Sequence, residues 1–342
     1  MHFCGSWKLG DATLKKIVAM SIDDNYVWPL LSLSYSMWKN AEGDFEICIA
    51  NVNGTLSASS QEIIGSVLGV MQIPNRIVDA RIPSDVKTDS RISIAAYGRL
   101  WLADNLKEDF VYFDADSLAF PGWQEIFTEI SELKDHPNYL LGALAAKTNR
   151  GLNWRSELAE TRQLCFHSTC LIISWENWRT NVKKFGVESW YSIAKRSAEL
   201  NLLAHDQDIL QFMAQGDFLH IREGLFELPI KPTRPAAIIS SGSWIKPWSI
   251  REENLSVRIY EDIFNHRRAG SAYFLDEYSA FKSNEIELLN YLHQVGSKNI
   301  THIENLRDKL YTYRPPRILK FKFHIIMKLE RFLSSFHKRK IA

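Results

Sequence analysis

The feature that most constrains this chain is a regular alternation of short apolar runs and helix-like stretches up to about residue 116. Ile17–Ile22 is apolar and ends at the polar cluster Asp23-Asp24-Asn25. Pro29 then stands where a helix can begin, and Leu30, Leu31, Leu33, Tyr35 and Met37 carry it onward. Phe45–Ala50 predicts a second strand and Gln61–Met71 a second helix; Arg76–Asp79 and Ile94–Leu106 predict the next pair. A fourth strand, Phe110–Phe113, runs directly into Asp114-Ala115-Asp116. Strands that alternate with helices build a mostly parallel sheet covered on both faces. Ligands of such sheets bind beyond the carboxyl ends of the strands. The acidic clusters at Asp23 and at Asp114–Asp116 are therefore expected at the mouth of the sheet.

The later chain is less regular. Leu140–Ala146 and Cys170–Trp175 are apolar, Ala204–Ala214 predicts a helix, and Pro229–Pro247 is a loop rich in Pro, Ser and Gly. Beyond Ile250 the pattern is mostly helical. We expect residues 1–250 to form one α/β domain and residues 251–342 a helical extension. With 342 residues, 46% hydrophobic and 24% charged, the composition excludes a disordered, collagenous or coiled-coil chain. No apolar run approaches the roughly 18 residues of a membrane span. The N-terminus lacks the apolar core of a secretory signal, so a cytoplasmic location is expected. Cys4, Cys48, Cys165 and Cys170 show no CxxC pairing and no zinc-type spacing, which predicts buried or incidental thiols. Asp104, Glu108 and Asp109 are expected to be a solvated loop before the fourth strand. Trp123, Trp154, Trp175, Trp178 and Trp190 suit either core packing or sugar stacking.

Charge is distributed unevenly. Of the 41 Lys and Arg and 40 Asp and Glu, nine bases and one acid lie from Arg314 onward, leaving 32 bases and 39 acids in the body. An acidic body argues against general nucleic-acid binding. In the tail, Ile318, Phe321, Ile325, Leu329, Phe332 and Phe336 recur at helical spacing and form one apolar stripe, with Lys320, Lys328, Arg331, Lys338 and Arg339 to its side or opposite. A basic amphipathic helix over residues 314–342 is expected to lie on an anionic membrane surface; docking on the acidic body is the alternative.

No GxGxxG or GxxxxGK[ST] follows the first strand, so a bound diphosphate has no glycine-rich cradle and must be met by a metal ion, by Lys/Arg, or by both. Asp114 and Asp116 suit the first: alternation points both carboxylates to one side, and two hard oxygen ligands leave positions open for phosphate oxygens. Such a pair is weak alone, because acidic pairs recur by chance and cap helices.

Four segments, in order, make the pattern more specific: Ser21-Ile22-Asp23-Asp24-Asn25-Tyr26, residues Ile92 to Leu100, Val111-Tyr112-Phe113-Asp114-Ala115-Asp116, and Asp206-Gln207-Asp208-Ile209-Leu210. A fifth, Gly242-Ser243-Trp244-Ile245-Lys246-Pro247-Trp248, is an imperfect version of a closing motif. Over about residues 15–250 the chain resembles glycosyltransferase family 8, retaining enzymes that use nucleotide sugars on a GT-A, Rossmann-like fold with a mostly parallel mixed sheet. The resemblance implies that Ser21, Asp23, Asn25 and Tyr26 hold a uridine, with Tyr26 stacked on the base. It implies that Arg99 and His167 belong to the donor region and that Asp114 and Asp116 hold Mn2+ or Mg2+. Lys246, with the turn at Gly242, would neutralise the departing UDP, and Asp206 and Gln207 would face the sugar at the catalytic centre.

The chain departs from that family at three places. The histidine that usually supplies a third metal ligand is Ile239 or Ser240 here; the usual asparagine is His167 and the usual small residue is Thr169; and Ala145 and Ala146 stand where an acidic residue often follows Gly142-Ala143. An N-terminal His2, Gly5 and Lys8 repeat the H-x-x-G-x-x-K spacing missing near Ser240, and coincidence is the simplest account. The expected function is transfer of glucose or galactose from UDP-glucose or UDP-galactose to a saccharide or lipid-linked saccharide, such as a lipopolysaccharide core or surface polysaccharide, by a peripheral protein at the inner face of the plasma membrane. The departures motivate a second expectation, a decayed transferase acting as a scaffold. A nucleotide-sugar hydrolase or phosphotransferase using the same aspartates is a third.

Overall fold

The computed structural model describes residues 15–86, 88, 93–145, 165–184, 189–197, 199, 200, 202, 205–227, 236–240, 246–250, 254 and 270–310. His2, Cys4, Gly5, Lys8, Ala146, Trp154, Gly242 and the basic tail lie outside them.

The predicted alternation is present. Strands β1 (Ile17–Ile22), β2 (Glu46–Val52), β3 (Asn75–Ala80) and β4 (Phe110–Phe113) are joined by α1 (Val27–Lys39), α2 (Ala58–Val70) and α3 (Gly98–Asn105). All four strands run parallel in the order β3-β2-β1-β4. β1, β2 and β4 are buried on both faces, as crossover helices require, while the edge strand β3 is mostly half-exposed. Val18, Met20 and Ile22 enter one apolar cluster, Ile17 and Ala19 the other. Three helix starts differ from expectation. Helix α1 starts two residues before Pro29, whose missing N–H is harmless in a first turn. Helix α2 starts at Ala58, where the Ser57 side chain accepts from Ser60 N–H as an N-cap. Ile94–Tyr97 is a 3-10 turn leading into α3 rather than its first α-turn.

Beyond β4 the sheet changes direction. Strand β7 (Phe166–Ile173) pairs antiparallel with both β4 and β6 (Leu141–Ala145), and β8 (Phe218–His220) pairs parallel with β6. The result is a seven-stranded mixed sheet, β3-β2-β1-β4-β7-β6-β8. A second sheet packs beside it: β5 (Ser117–Ala119), β10 (Ile238–Ser240) and β9 (Phe226–Glu227). It is tied to α1 by Ala119 N–H, which donates to Ser36 Oγ at 3.0 Å.

Helix α1 is buried from Val27 to Met37. Its other cover is α8 (Gly270–Gln294), where Trp28 Nε1 donates to Glu285 Oε1 at 2.7 Å and Asn284 Nδ2 donates to Ser32 O at 2.8 Å. Helix α9 (Ile300–Lys309) follows. The remaining helices are α4 (Thr128–Lys134), α5 (Trp175–Lys184), α6 (Trp190–Lys195) and α7 (His205–Ala214).

Cys48 and Cys170 are buried free thiols, and Cys165 is buried as well. Trp123, Trp178 and Trp190 are core residues. The expectation of a solvated acidic loop is corrected. Asp104 accepts from Trp178 Nε1 at 2.7 Å, and Asp109 accepts from Trp175 N–H at 2.9 Å and pairs with Lys134 at 2.6 Å. Glu108 pairs with Lys15 at 3.1 Å and with Arg76. These carboxylates fasten neighbouring elements because α5, the end of α4, β3 and the residues just before β1 bring partners to them.

Candidate functional site

The site lies where the strand order reverses, at the carboxyl ends of β1 and β4. Antiparallel β7 brings its first residues to the same mouth, since Phe113 pairs with Cys170 and Asp114 N–H donates to Thr169 O at 2.9 Å. At its centre is Arg99, 7% exposed on the first turn of α3. Its Nη2 meets Asp114 Oδ1 at 2.8 Å and its Nε meets Asp206 Oδ2 at 3.1 Å. Nη1 donates to Ser168 O at 2.6 Å and to Ser168 Oγ at 2.8 Å, while Nε also donates to Ala96 O at 3.1 Å. The guanidinium carbon lies 4.7 Å from the centroid of the Tyr112 ring. One planar fork thus joins α3, the end of β4, β7 and the start of α7, a task that suits arginine's fixed donor geometry. Burial opposes its charge, but Asp114 and Asp206 hold it protonated, with the pKa raised.

Close approach of α3 makes this possible. A Cβ on Gly98 would stand 1.9 Å from Ser21 Oγ and 2.9 Å from Val52 Cγ2. Ser21 Oγ donates to Ala95 O at 2.7 Å, so its hydroxyl fastens the turn before α3.

Asp116 forms a second centre. Its Oδ2 lies 2.6 Å from Lys246 Nζ, and its Oδ1 accepts from Ser240 Oγ at 3.2 Å. Ser240, not Ile239, therefore occupies the position beside Asp116. Strand alternation turns Ile239 away, into a cleft of about 720 Å³ that Phe120 and Leu225 also line. Tyr26 stands nearby, edge-on to Trp248 at 6.3 Å between ring centroids. Burial, then the charge of Asp116, pushes its phenol up to about 12. For Lys246, burial disfavours the charge but Asp116 outweighs it, so its pKa is raised.

The other expected residues are placed as follows. Asp23 Oδ1 accepts from Asn25 N–H at 2.9 Å and caps the turn Asp24–Tyr26 at the rim. Gln207 Oε1 accepts from Ser168 N–H at 3.2 Å, next to Asp206, which accepts from Ser168 Oγ at 3.4 Å. His167 is half-buried on the face of β7 opposite Ser168, and burial lowers its pKa. Gly242 lies outside the described residues. The fold thus gathers Tyr26, Arg99, Asp114, Asp116, Asp206, Gln207 and Lys246. It leaves Asp23 and Asn25 on the rim and His167 across the strand.

Ser168 was missed in the sequence, although it touches Arg99, Asp206 and Gln207. Its signal was there in outline: a polar residue, two before the buried Cys170, on the face of β7 that meets Arg99.

Within this cluster three carboxylates, Asp114, Asp116 and Asp206, face two cations, Arg99 and Lys246. Burial pushes the Asp114 carboxyl above the ordinary range; Arg99 pulls against that, and Asp116 and Asp206 add to it. An excess of hard oxygen donors over cations fits a divalent ion of the Mg2+ or Mn2+ kind. Among the described residues no group of three or more His, Cys, Asp and Glu is placed to hold one. The protein would supply two carboxylates, with water and phosphate oxygens completing the shell.

Comparison with solved structures decides the architecture. A galactosyltransferase, LgtC, in complex with donor and acceptor sugar analogues aligns with a TM-score of 0.57 at 18% identity, covering 78% of this chain and 95% of its own. The chain has the GT-A fold. An active-site variant of LgtC aligns similarly, at 17% identity and a TM-score of 0.56, with 78% and 95% coverage. The glycosyltransferase GlyE of Streptococcus pneumoniae aligns at 14% identity and a TM-score of 0.51, covering 83% of this chain and 64% of its own. No protein-family model and no curated protein matches the chain.

Proposed function

We propose that this GT-A chain is a divergent glycosyltransferase of the family 8 type. It would move glucose or galactose, with retention, from UDP-glucose or UDP-galactose to a saccharide or lipid-linked saccharide of the cell surface. The observation that carries this reading is the convergence of Asp114, Asp116, Lys246, Arg99, Asp206 and Gln207 at one mouth of the sheet.

Asp114 and Asp116 would hold the divalent ion, which supplies Lewis-acid neutralisation of the diphosphate. Lys246 stabilises the UDP leaving group electrostatically from the side of the second sheet. Tyr26, with Asp23 and Asn25 at the end of β1, receives the uridine. Arg99 contacts no substrate in this scheme: it is a positioning residue that fixes Asp114 and Asp206 relative to each other. Asp206, held by Arg99 and Ser168, is a preset acceptor for a sugar hydroxyl. Gln207 is oriented by Ser168 N–H, which occupies a lone pair of its carbonyl oxygen and turns its amide N–H groups outward as donors.

The basic tail would bring the enzyme to an anionic membrane where a lipid-linked acceptor resides; no helix among the described residues is long and apolar enough to cross one. The test is calorimetric titration of UDP with Mn2+ and then with EDTA, followed by sugar-transfer assays with both UDP-hexoses. Metal-dependent UDP binding lost in Asp116→Ala supports the donor site. Absence of UDP binding refutes it and favours a scaffold, and sugar release without acceptor favours a hydrolase.

A further inference from the structure

The contact between Lys246 and Asp116 has a consequence for how the site loads. Asp116 is 7% exposed and both its carboxylate oxygens are engaged, Oδ2 by Lys246 Nζ at 2.6 Å and Oδ1 by Ser240 Oγ at 3.2 Å. A lysine ammonium is a compact point charge on a flexible stem, unlike the fork of Arg99 locked by several partners. It sits on the carboxylate that a divalent ion would need, and a hydroxyl stands where the resemblance would put an imidazole ligand.

We propose that Lys246 and a divalent ion are alternative occupants of Asp116. Lys246 holds the carboxylate in the empty protein and leaves it for the diphosphate of the donor, so that ion and nucleoside diphosphate enter together. Lys246 is then a built-in competitor against metal alone as well as a diphosphate ligand. Ser240 keeps Asp116 oriented through the exchange, because its hydroxyl bonds the oxygen Lys246 does not use. This inference rests on the proposed donor site and adds the order of its loading.

Thermodynamic reciprocity makes the proposal measurable: each ligand must raise the affinity of the other by one and the same factor. The readout is Mn2+ binding to the full chain, followed by the loss of the free-ion electron paramagnetic resonance signal, with and without UDP. Wild-type protein should bind Mn2+ weakly alone and about 10-fold or more tightly with UDP, within the usual span of coupling between two sites. Lys246→Met, which keeps the stem and removes the charge, should tighten Mn2+ binding to the nucleotide-free protein by a similar factor while weakening UDP binding. Lys246→Arg should restore weak Mn2+ binding, and Asp116→Asn added to Lys246→Met should abolish the gain. Unchanged or weaker Mn2+ binding in Lys246→Met overturns the proposal; if UDP still binds wild type with Mn2+ and not with EDTA, the donor-site reading survives it. Absence of Mn2+ binding in every protein, with UDP or without, overturns the proposal and the metal site together, and UDP binding in EDTA would leave the donor site standing alone.

Discussion

Removing Arg99 should reveal how much of this site is held by one side chain. The Arg99→Ala substitution deletes the ion pairs to Asp114 at 2.8 Å and Asp206 at 3.1 Å and the donors to Ser168. Asp206 is 5% exposed and Asp114 half-buried, so water cannot replace the guanidinium fully. Breaking a buried pair by removing one partner typically costs about 3–5 kcal/mol, because a charge is left uncompensated. At roughly 2–4 °C per kcal/mol for a domain of this size, Tm should fall by about 6–20 °C. The deficit should depend on pH with a defined sign. Asp114 already has a raised folded pKa, and without Arg99 it rises further. A raised carboxyl binds its proton more tightly in the folded state, so its stabilising contribution is full below the unfolded carboxylate range and is lost as pH rises through the folded value. The gap between variant and wild type should therefore narrow as pH falls toward the ordinary carboxylate range. Arg99→Lys, which keeps the charge but not the fork, should fall between the two. Differential scanning calorimetry from pH 4 to pH 8 is the assay. A Tm change under about 2 °C at neutral pH, below what even 1 kcal/mol would give, would refute the clamp; so would a deficit that widens in acid.

Three further outcomes are expected. Gly98→Ala should destabilise by about 1–3 kcal/mol in chemical denaturation, since its Cβ would meet Ser21 Oγ at 1.9 Å and Val52 Cγ2 at 2.9 Å; adding Ser21→Gly should recover part of the loss. Trp28→Phe should cost about 1–3 kcal/mol by leaving Glu285 without the indole donor at 2.7 Å, measured as a shift of the urea midpoint. Deleting residues 314–342 should release the protein from anionic vesicles in a sedimentation assay while leaving UDP binding intact; equal vesicle binding by the truncated chain would reject the membrane role of the tail.

The parallel half of the fold was legible because burial on both faces leaves a local mark. β1, β2 and β4 read as short apolar runs, and the pair Asp114 and Asp116 follows the last of them directly; the edge strand β3 shows only Ile77 and Val78 between polar residues. In the antiparallel half the apolar runs Leu140–Ala146 and Cys170–Trp175 marked β6 and the end of β7, but not where β7 begins or which way it runs. β7 begins at Phe166 among polar residues, and its direction follows from pairing with β4 and β6, contacts distant in sequence. The three-stranded sheet was missed because its strands have two or three residues each, too short for periodicity to register. The acidic loop at Asp104 to Asp109 was misread for a related reason: nothing local announces that Trp178, Trp175 and Arg76 will cover it.

By itself, the sequence determined the α/β class, the strands that carry the mouth, and the residue types able to meet a diphosphate. Period and polarity act within a few residues, and one chain suffices to read them. Tertiary structure decided the partnerships. It set Ser168 opposite Arg99, turned Ser21 toward the turn before α3, brought Ser240 rather than Ile239 to Asp116, and closed Lys246 onto the same carboxylate. Those choices depend on strand direction and on the balance of buried charges across elements up to about 130 residues apart, and both exist only once the chain has folded.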